Sequence, residues 1–271
     1  MDQQTIFAKV EQAEAHLLSL PFTFMIGKQS FSKDDLVKWQ RREYLKTAKL
    51  LNKRFSQKLN FTSTTSFITI KEEVVLAKMA IGQNQLKSQL AYQSDIANLI
   101  TKLGVKTSFN HRKISVADMY LKNSKLTAQQ IANTLNQMFM HNTEDNQFYN
   151  FKANPNHFYS YGEHNQQTVV EMTGGTRLTN DFTLSYGDNS GLSTTSNKNF
   201  RFELSGTGRL TNGFIIGGVR HLITDEPNNT IHARLQVEFP DILPNSLINQ
   251  HAIHLLVEFS NWLTDIDLMA N

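Results

Sequence analysis

The chain has 271 residues, no cysteine and 39% hydrophobic residues, enough for a sizeable core, and it excludes disulfides, thiolate nucleophiles and cysteine-ligated zinc. A fold held by burial alone suits a reducing, cytoplasmic compartment. The net charge of +3 hides a split: residues 1–150 hold 20 Lys and Arg against 12 Asp and Glu, whereas residues 151–271 hold 7 against 12, an asymmetry that implies two domains and gives the first an affinity for anions.

In chain order, residues 6–18 read as a helix with Ile6, Val10, Ala13 and Leu17 on one face, ended by Pro21. The acids Asp2, Glu11 and Glu14 argue against a secretory signal in this segment, and no apolar run approaches membrane-spanning length, so no membrane contact is expected. Ser32 is placed to cap a second helix reaching about residue 59, with Asp34 and Asp35 where negative charge suits the helix dipole. After a Ser/Thr-rich loop at 62–66, one long helix is expected over 70–103, bent at Gly82 and stopped by Gly104. Residues 114–121 read as a short helix and 127–140 as another. The polar stretch 142–156, which contains Pro155, reads as the boundary between a basic α-helical domain (1–150) and a second domain (151–271).

Beyond it the period changes from helical to alternating. Ile231, Ala233, Leu235, Val237 and Phe239 alternate with His232, Arg234, Gln236 and Glu238, the pattern of a half-buried strand. Phe200, Phe202 and Leu204 form a second such set, and Leu178, Phe182, Leu184 and Tyr186 a third. One-sided burial implies an antiparallel sheet with one face covered. Ile248, Ala252, Leu255, Phe259, Trp262 and Ile266 recur at helical spacing in residues 246–267, which supplies the cover. The fold class expected is therefore α+β: a helical N-terminal domain, then an antiparallel sheet of five or six strands closed by a C-terminal helix.

The second half contains a duplication. Residues 171–182 recur 32 positions later as 203–214, with seven of twelve positions identical: Glu171/Glu203, Gly174/Gly206, Arg177/Arg209, Leu178/Leu210, Thr179/Thr211, Asn180/Asn212 and Phe182/Phe214. Each copy reads as a strand, a glycine-containing turn and a return strand. Arg177 and Arg209, flanking glycine amides, are candidates for a paired anion site; solvated turn arginines are the alternative.

Three further patterns bear on chemistry. Lys38, Arg42, Lys46, Lys49 and Lys53 lie four, four, three and four apart and form one basic stripe along a helix, suited to phosphates or to another anionic surface. Such a stripe also serves simply as a solvated face. Residues 126–135 resemble the first helix of a helix-turn-helix, but no recognition helix follows. His251, His254 and Glu258 share a face of the last helix and, with His221 or His232, could bind a metal. Together with Asn261 and Asp265, however, they read as its solvated polar stripe, so no metal site is expected. With no HExxH, P-loop or GxSxG pattern, no cofactor is expected either.

Leu20, Pro21 and Phe22, then Gly27, Phe31, Leu36, Trp39 and Tyr44, and later residues 96–105 ending in Leu103, Gly104 and Val105, carry a family likeness. In these positions residues 6–105 resemble the opening of the heme-oxygenase-like helical fold, as in thiaminase II (TenA-like) and PqqC-like proteins. Leu20 stands where that pattern has an entry histidine, there is no cysteine for a thiaminase-type nucleophile, and no Glu/His set for a di-metal site occurs in the stretch. The resemblance implies a fold and not an activity.

The leading functional expectation is a non-enzymatic binding protein whose basic helix contacts nucleic acid or an acidic protein surface, including the acidic half of another copy in a homo-oligomer. The alternative is a small-molecule site, catalytic or not, in an apolar pocket between the C-terminal sheet and the last helix, lined by Phe202, Phe214, Phe239 and Trp262.

Overall fold

Capping chemistry sets the helices of the first half. In the computed structural model, which describes residues 1–109 and 111–270, α1 (Gln3–Ser19) begins where the Asp2 carboxylate accepts the Thr5 amide. Ser32 and Asp35 form a reciprocal capping box at the start of α2 (Lys33–Phe55), which stops at Ser56 in the left-handed region, short of residue 59. Between them, Leu20 to Phe31 carry a hairpin of β1 (Phe22–Ile26) and β2 (Gln29–Phe31) turning at Gly27. The long helix expected over 70–103 is two, α3 (Phe67–Ile81) and α4 (Gln83–Thr107), broken at Gly82, whose φ of 79° suits glycine. Gly104 lies inside α4, against Pro240 and Ile242, and does not end it.

Residues 114–121 are a correction. They belong to β3 (Arg112–Leu121), not to a helix. Ser115, Ala117, Met119 and Leu121 are all buried, a period of two that a short apolar run does not distinguish from a helical turn. Pairing along its whole length with β9 (Thr230–Pro240) decides the matter.

The chain continues through α5 (Ala128–Met140), capped by a Thr127–Gln130 box, and α6 (Glu144–Ala153). Then come β4 (His157–Glu163), β5 (Gln166–Glu171), a 3-10 turn (Thr173–Gly175), β6 (Asn180–Tyr186), β7 (Phe202–Arg209), β8 (Ile215–Glu226), β9 and α7 (Asn245–Ala270). The architecture is α+β. Among the described residues, residues 151–271 supply six strands, within the five or six expected of them, and β1, β2 and β3 extend these to one antiparallel sheet of nine in the order β2-β1-β3-β9-β8-β7-β6-β5-β4. The boundary expected near residue 150 falls inside α6, and the sheet draws three strands from before it.

The stretch read as a polar linker is among the most buried. Residues 151–158 are buried without exception. Asn154 is tolerated there because its side chain donates to the His254 carbonyl and accepts the Asn156 backbone amide, whereas the Asn156 side chain has no hydrogen-bond partner among the described residues. Fully buried Lys78 donates to the carbonyls of Pro155 and His157, at 2.6 and 2.7 Å. Burial pushes the Lys78 ammonium well below its usual range.

α7 occupies the centre of the molecule. Its expected apolar stripe is buried at every position, and Ser115 on β3 donates to the Ile248 carbonyl. Burial of each large member contributes about 1.5–3 kcal/mol. The opposite stripe, expected to be solvated, is also buried: His254, Glu258, Asn261 and Asp265 are at most 6% exposed. The reason is layering. α1, α2 and α6 pack on the side of α7 away from the sheet and cover Asn261 and Asp265, while His254 and Glu258 are enclosed toward the start of β4. Among the described residues no helix is long and apolar enough to cross a membrane.

Candidate functional site

Between α4, α7 and the inner face of β5, β6, β8 and β9 lies a cavity of about 460 Å³. Ala97 and Ile100 of α4, Val169 of β5, Phe182 and Leu184 of β6, Val237 of β9 and Leu255 of α7 form its apolar walls. Phe239 and Trp262 line it. Phe202 and Phe214 do not. Phe202 faces the same way as Gly208 on β7, but it pairs with Ile223 at the far end of the strand and packs into the core. Phe214 lies in the β7–β8 turn under the Lys102 ammonium.

Two glycines let this region close. Gly174 has a φ of 57° and packs its backbone against His251 and the Leu247 carbonyl on α7. Gly217 has a φ of 149°, and a Cβ there would sit 2.0 Å from the Glu238 carbonyl oxygen.

A polar cluster forms part of the cavity lining. His157 comes from the start of β4, Glu171 from the end of β5, His221 from β8, and His251, His254 and Glu258 from α7. His157 Nδ1 lies 3.1 Å from the Asn150 carbonyl oxygen. A carbonyl only accepts, so Nδ1 carries the proton and Nε2 is the nitrogen turned to the cluster. That Nε2 is 3.1 Å from Glu258 Oε2 and 3.7 Å from Glu171 Oε2. His254 Nε2 approaches the same Glu258 oxygen at 3.2 Å. His251 stacks on His254 with ring centroids 4.9 Å apart.

Several of these nitrogens lack a protein hydrogen-bond partner among the described residues: both of His251, both of His254, whose Nε2 meets Glu258 by ion-pair distance only, and Nδ1 of His221. Burial raises the Glu258 carboxyl, but hydrogen bonds from His157 and His254 outweigh it and hold the group below the usual carboxylate range. Burial opposes charge on His254, yet Glu258 raises it above an ordinary histidine. Burial first, then His254, drives His251 well below the ordinary value, and burial lowers His221 to about 4. At neutral pH the cluster thus holds a carboxylate beside a cation-favouring imidazole, with two neutral imidazoles facing the cavity.

His157, Glu171 and His254 offer donor atoms that all lie within 4.8 Å of one another. Neutral imidazole and carboxylate are the ligands of divalent transition metals. Sequence reasoning weighed His251, His254 and Glu258 with His221 or His232 as ligands but set them aside as a solvated stripe. It missed His157 and Glu171, which sit at strand ends with no local pattern; Glu171 was visible only as the first residue of the duplication. His232 is elsewhere, between Asp118 and Glu226.

The residues expected to bind anions are scattered. Arg177 is exposed and lines the cavity. Arg209 is tied to Asp188 at 2.8 Å and to Ser190. The two copies of the duplication differ in structure, because Gly174 lies in a turn whereas Gly206 lies within β7. On α2, Lys38, Arg42, Lys49 and Lys53 are exposed and Lys46 half-buried. Arg42 and Lys46 both contact the buried Glu43 carboxylate, at 3.1 and 2.7 Å.

No protein-family model and no curated protein matches the chain.

Proposed function

We propose that this protein binds a small molecule in the cavity between α7 and the sheet. The observation that carries this is the cavity itself: about 460 Å³, within the roughly 300–1,000 Å³ typical of small-molecule sites, apolar along its walls with a few convergent polar groups. The ligand that fits has an apolar body and a polar head. Its body would lie against Val169, Phe182, Val237 and Trp262, its head would meet the His254 and Glu258 cluster, and Arg177 at the exposed rim favours negative charge.

The fluorescent probe 1-anilinonaphthalene-8-sulfonate, an apolar body with an anionic group, tests this reading. Wild-type protein should bind it saturably, near one per chain. Val219→Trp, which fills the cavity from β8, should abolish that binding while far-ultraviolet circular dichroism stays unchanged. Absence of saturable binding, or equal binding by folded Val219→Trp, defeats the reading.

A second reading is contact between the α2 stripe and an anionic partner, nucleic acid or an acidic protein surface. Exposure of Lys38, Arg42, Lys49 and Lys53 along one helix supports it. Contacts of Arg42 and Lys46 with Glu43 divert part of the stripe's charge inward. Retention on heparin that falls steeply with salt is the expected behaviour, and elution with a neutral control defeats it.

A further inference from the structure

We infer that His157, Glu171, His254 and Glu258 form a binding site for a divalent first-row transition metal ion in the cavity lining. Four observations carry the assignment.

The first is spacing. Donor atoms on one ion, each about 2.0–2.2 Å from it, lie roughly 3–3.5 Å from one another. Three of the separations here are 3.1, 3.2 and 3.7 Å, between His157 Nε2 and Glu258, His254 Nε2 and Glu258, and His157 Nε2 and Glu171.

The second is the tautomer. The Asn150 carbonyl takes the Nδ1 proton of His157 and leaves Nε2 directed at the Glu258 and Glu171 oxygens, where it donates a proton if the ring is charged and presents its lone pair, ready for a metal ion, if the ring is neutral. Lone pairs facing lone pairs across 3.1 Å repel unless a positive charge stands among them. A backbone carbonyl behind a ligating histidine is the usual way to fix this arrangement. Lys78 in turn fixes the backbone of His157 through its carbonyl.

The third is charge. Two carboxylates and two neutral imidazoles balance a dication, which suits a site where His157, His254 and Glu258 are each more than nine-tenths buried. An imidazolium shared between His157 and His254 is the competing arrangement. It places Glu171 beside the cation at 3.7 Å from His157 Nε2 and needs no bound ion, so metal titration separates the two arrangements.

The fourth is access. All four residues line the cavity, so positions left open on the ion face the space assigned to the ligand. The metal site stands on the side chains alone; only coordination of the ligand head to those open positions rests on the small-molecule reading. Mixed nitrogen and oxygen donors without sulfur suit zinc, iron(II), manganese(II) or cobalt(II) over copper(I).

The test uses full-length protein stripped with chelator, then titrated calorimetrically with Zn²⁺ and followed spectrally with Co²⁺ as a coloured stand-in. One ion per chain is expected, with a visible Co²⁺ absorption band. His254→Gln should weaken affinity by more than about tenfold, the least that loss of even an outer partner costs. Glu171→Gln is nearly isosteric at a half-buried position, so it keeps the fold and should weaken affinity likewise. His164→Gln, an exposed histidine outside the cluster, should change nothing. No stoichiometric binding, or binding indifferent to Glu171→Gln and His254→Gln, overturns the assignment. Metal titration needs no organic ligand, so probe binding without metal binding defeats this inference alone. Metal binding without probe binding defeats only the small-molecule reading.

Discussion

α7 carries two buried polar clusters, one facing the helical layer and one facing the cavity, and they differ in how their charges are paired. Toward the helices, Lys71 meets Glu14 at 2.5 Å and Asn261 at 3.0 Å, and Lys152 meets Asp265 at 2.7 Å. Asn261 also donates to the carbonyls of Ala153 and Val257. Each cation stands against an anion, while the Lys152 ammonium and one Asp265 oxygen make no hydrogen bond of good geometry among the described residues. Toward the sheet, His157 and His254 crowd around Glu258, His157 also faces Glu171, His251 has no hydrogen-bond partner among the described residues, and the cavity opens beside them. A neutral network in which each cation meets an anion fixes the packing of a helix. A cluster with free valences beside a cavity is equipped to take a ligand, because unmet hydrogen-bonding capacity in a dry site is costly unless something fills it.

The largest effect expected falls on the cluster facing the helices. Lys71→Met strands the buried Glu14 carboxylate and should cost about 3–5 kcal/mol in urea unfolding, most of which Glu14→Leu in the same chain should restore. A cost under about 1 kcal/mol would mean the pair is not closed. The open cluster should respond in the opposite direction. His251→Leu removes two unpartnered nitrogens and should raise stability, on the order of 1 kcal/mol, while changing probe affinity. A loss of stability would show that His251 is already satisfied and would erase the contrast.

Glu238 supplies an intermediate case. Burial raises its carboxyl, but hydrogen bonds from the amides and hydroxyls of Ser193 and Thr194 prevail and lower it below 4.5. A depressed folded-state value means the stabilisation is full above the unfolded value and fades as pH falls through the folded one. Wild type should therefore exceed Glu238→Gln in stability at pH 7, and the gap should narrow as pH drops from 5 toward 3. A gap that is flat with pH would deny that the charged form makes these bonds. The smallest effect is expected at the surface. Lys49→Gln should alter stability by less than about 0.5 kcal/mol, so any change in its heparin retention reports on charge alone.

Sequence reasoning reached α1, α2, α5 and α7 because caps and apolar periods are local: Ser32 with Asp35, Thr127 with Gln130, and the stripe from Ile248 to Ile266. It reached β9 because Ile231 to Phe239 alternate without a break. It failed at β3, whose short apolar run fits either period, and at residues 151–158, whose amides are met by distant groups such as the His254 carbonyl. Of the cavity, Phe239 and Trp262 were legible from their faces. His157 and Glu171 were not, since nothing near them in the chain marks them as neighbours of α7.

What the sequence determined by itself was the α+β class, the capped helices and the amphipathic C-terminal helix, all set by interactions within a few residues. Tertiary structure alone decided that β3 joins β9, that the polar stripe of α7 is buried, and that residues 157, 171, 254 and 258 meet. Those outcomes depend on a second layer covering α7 and on strand ends converging across the sheet, and no local propensity encodes either.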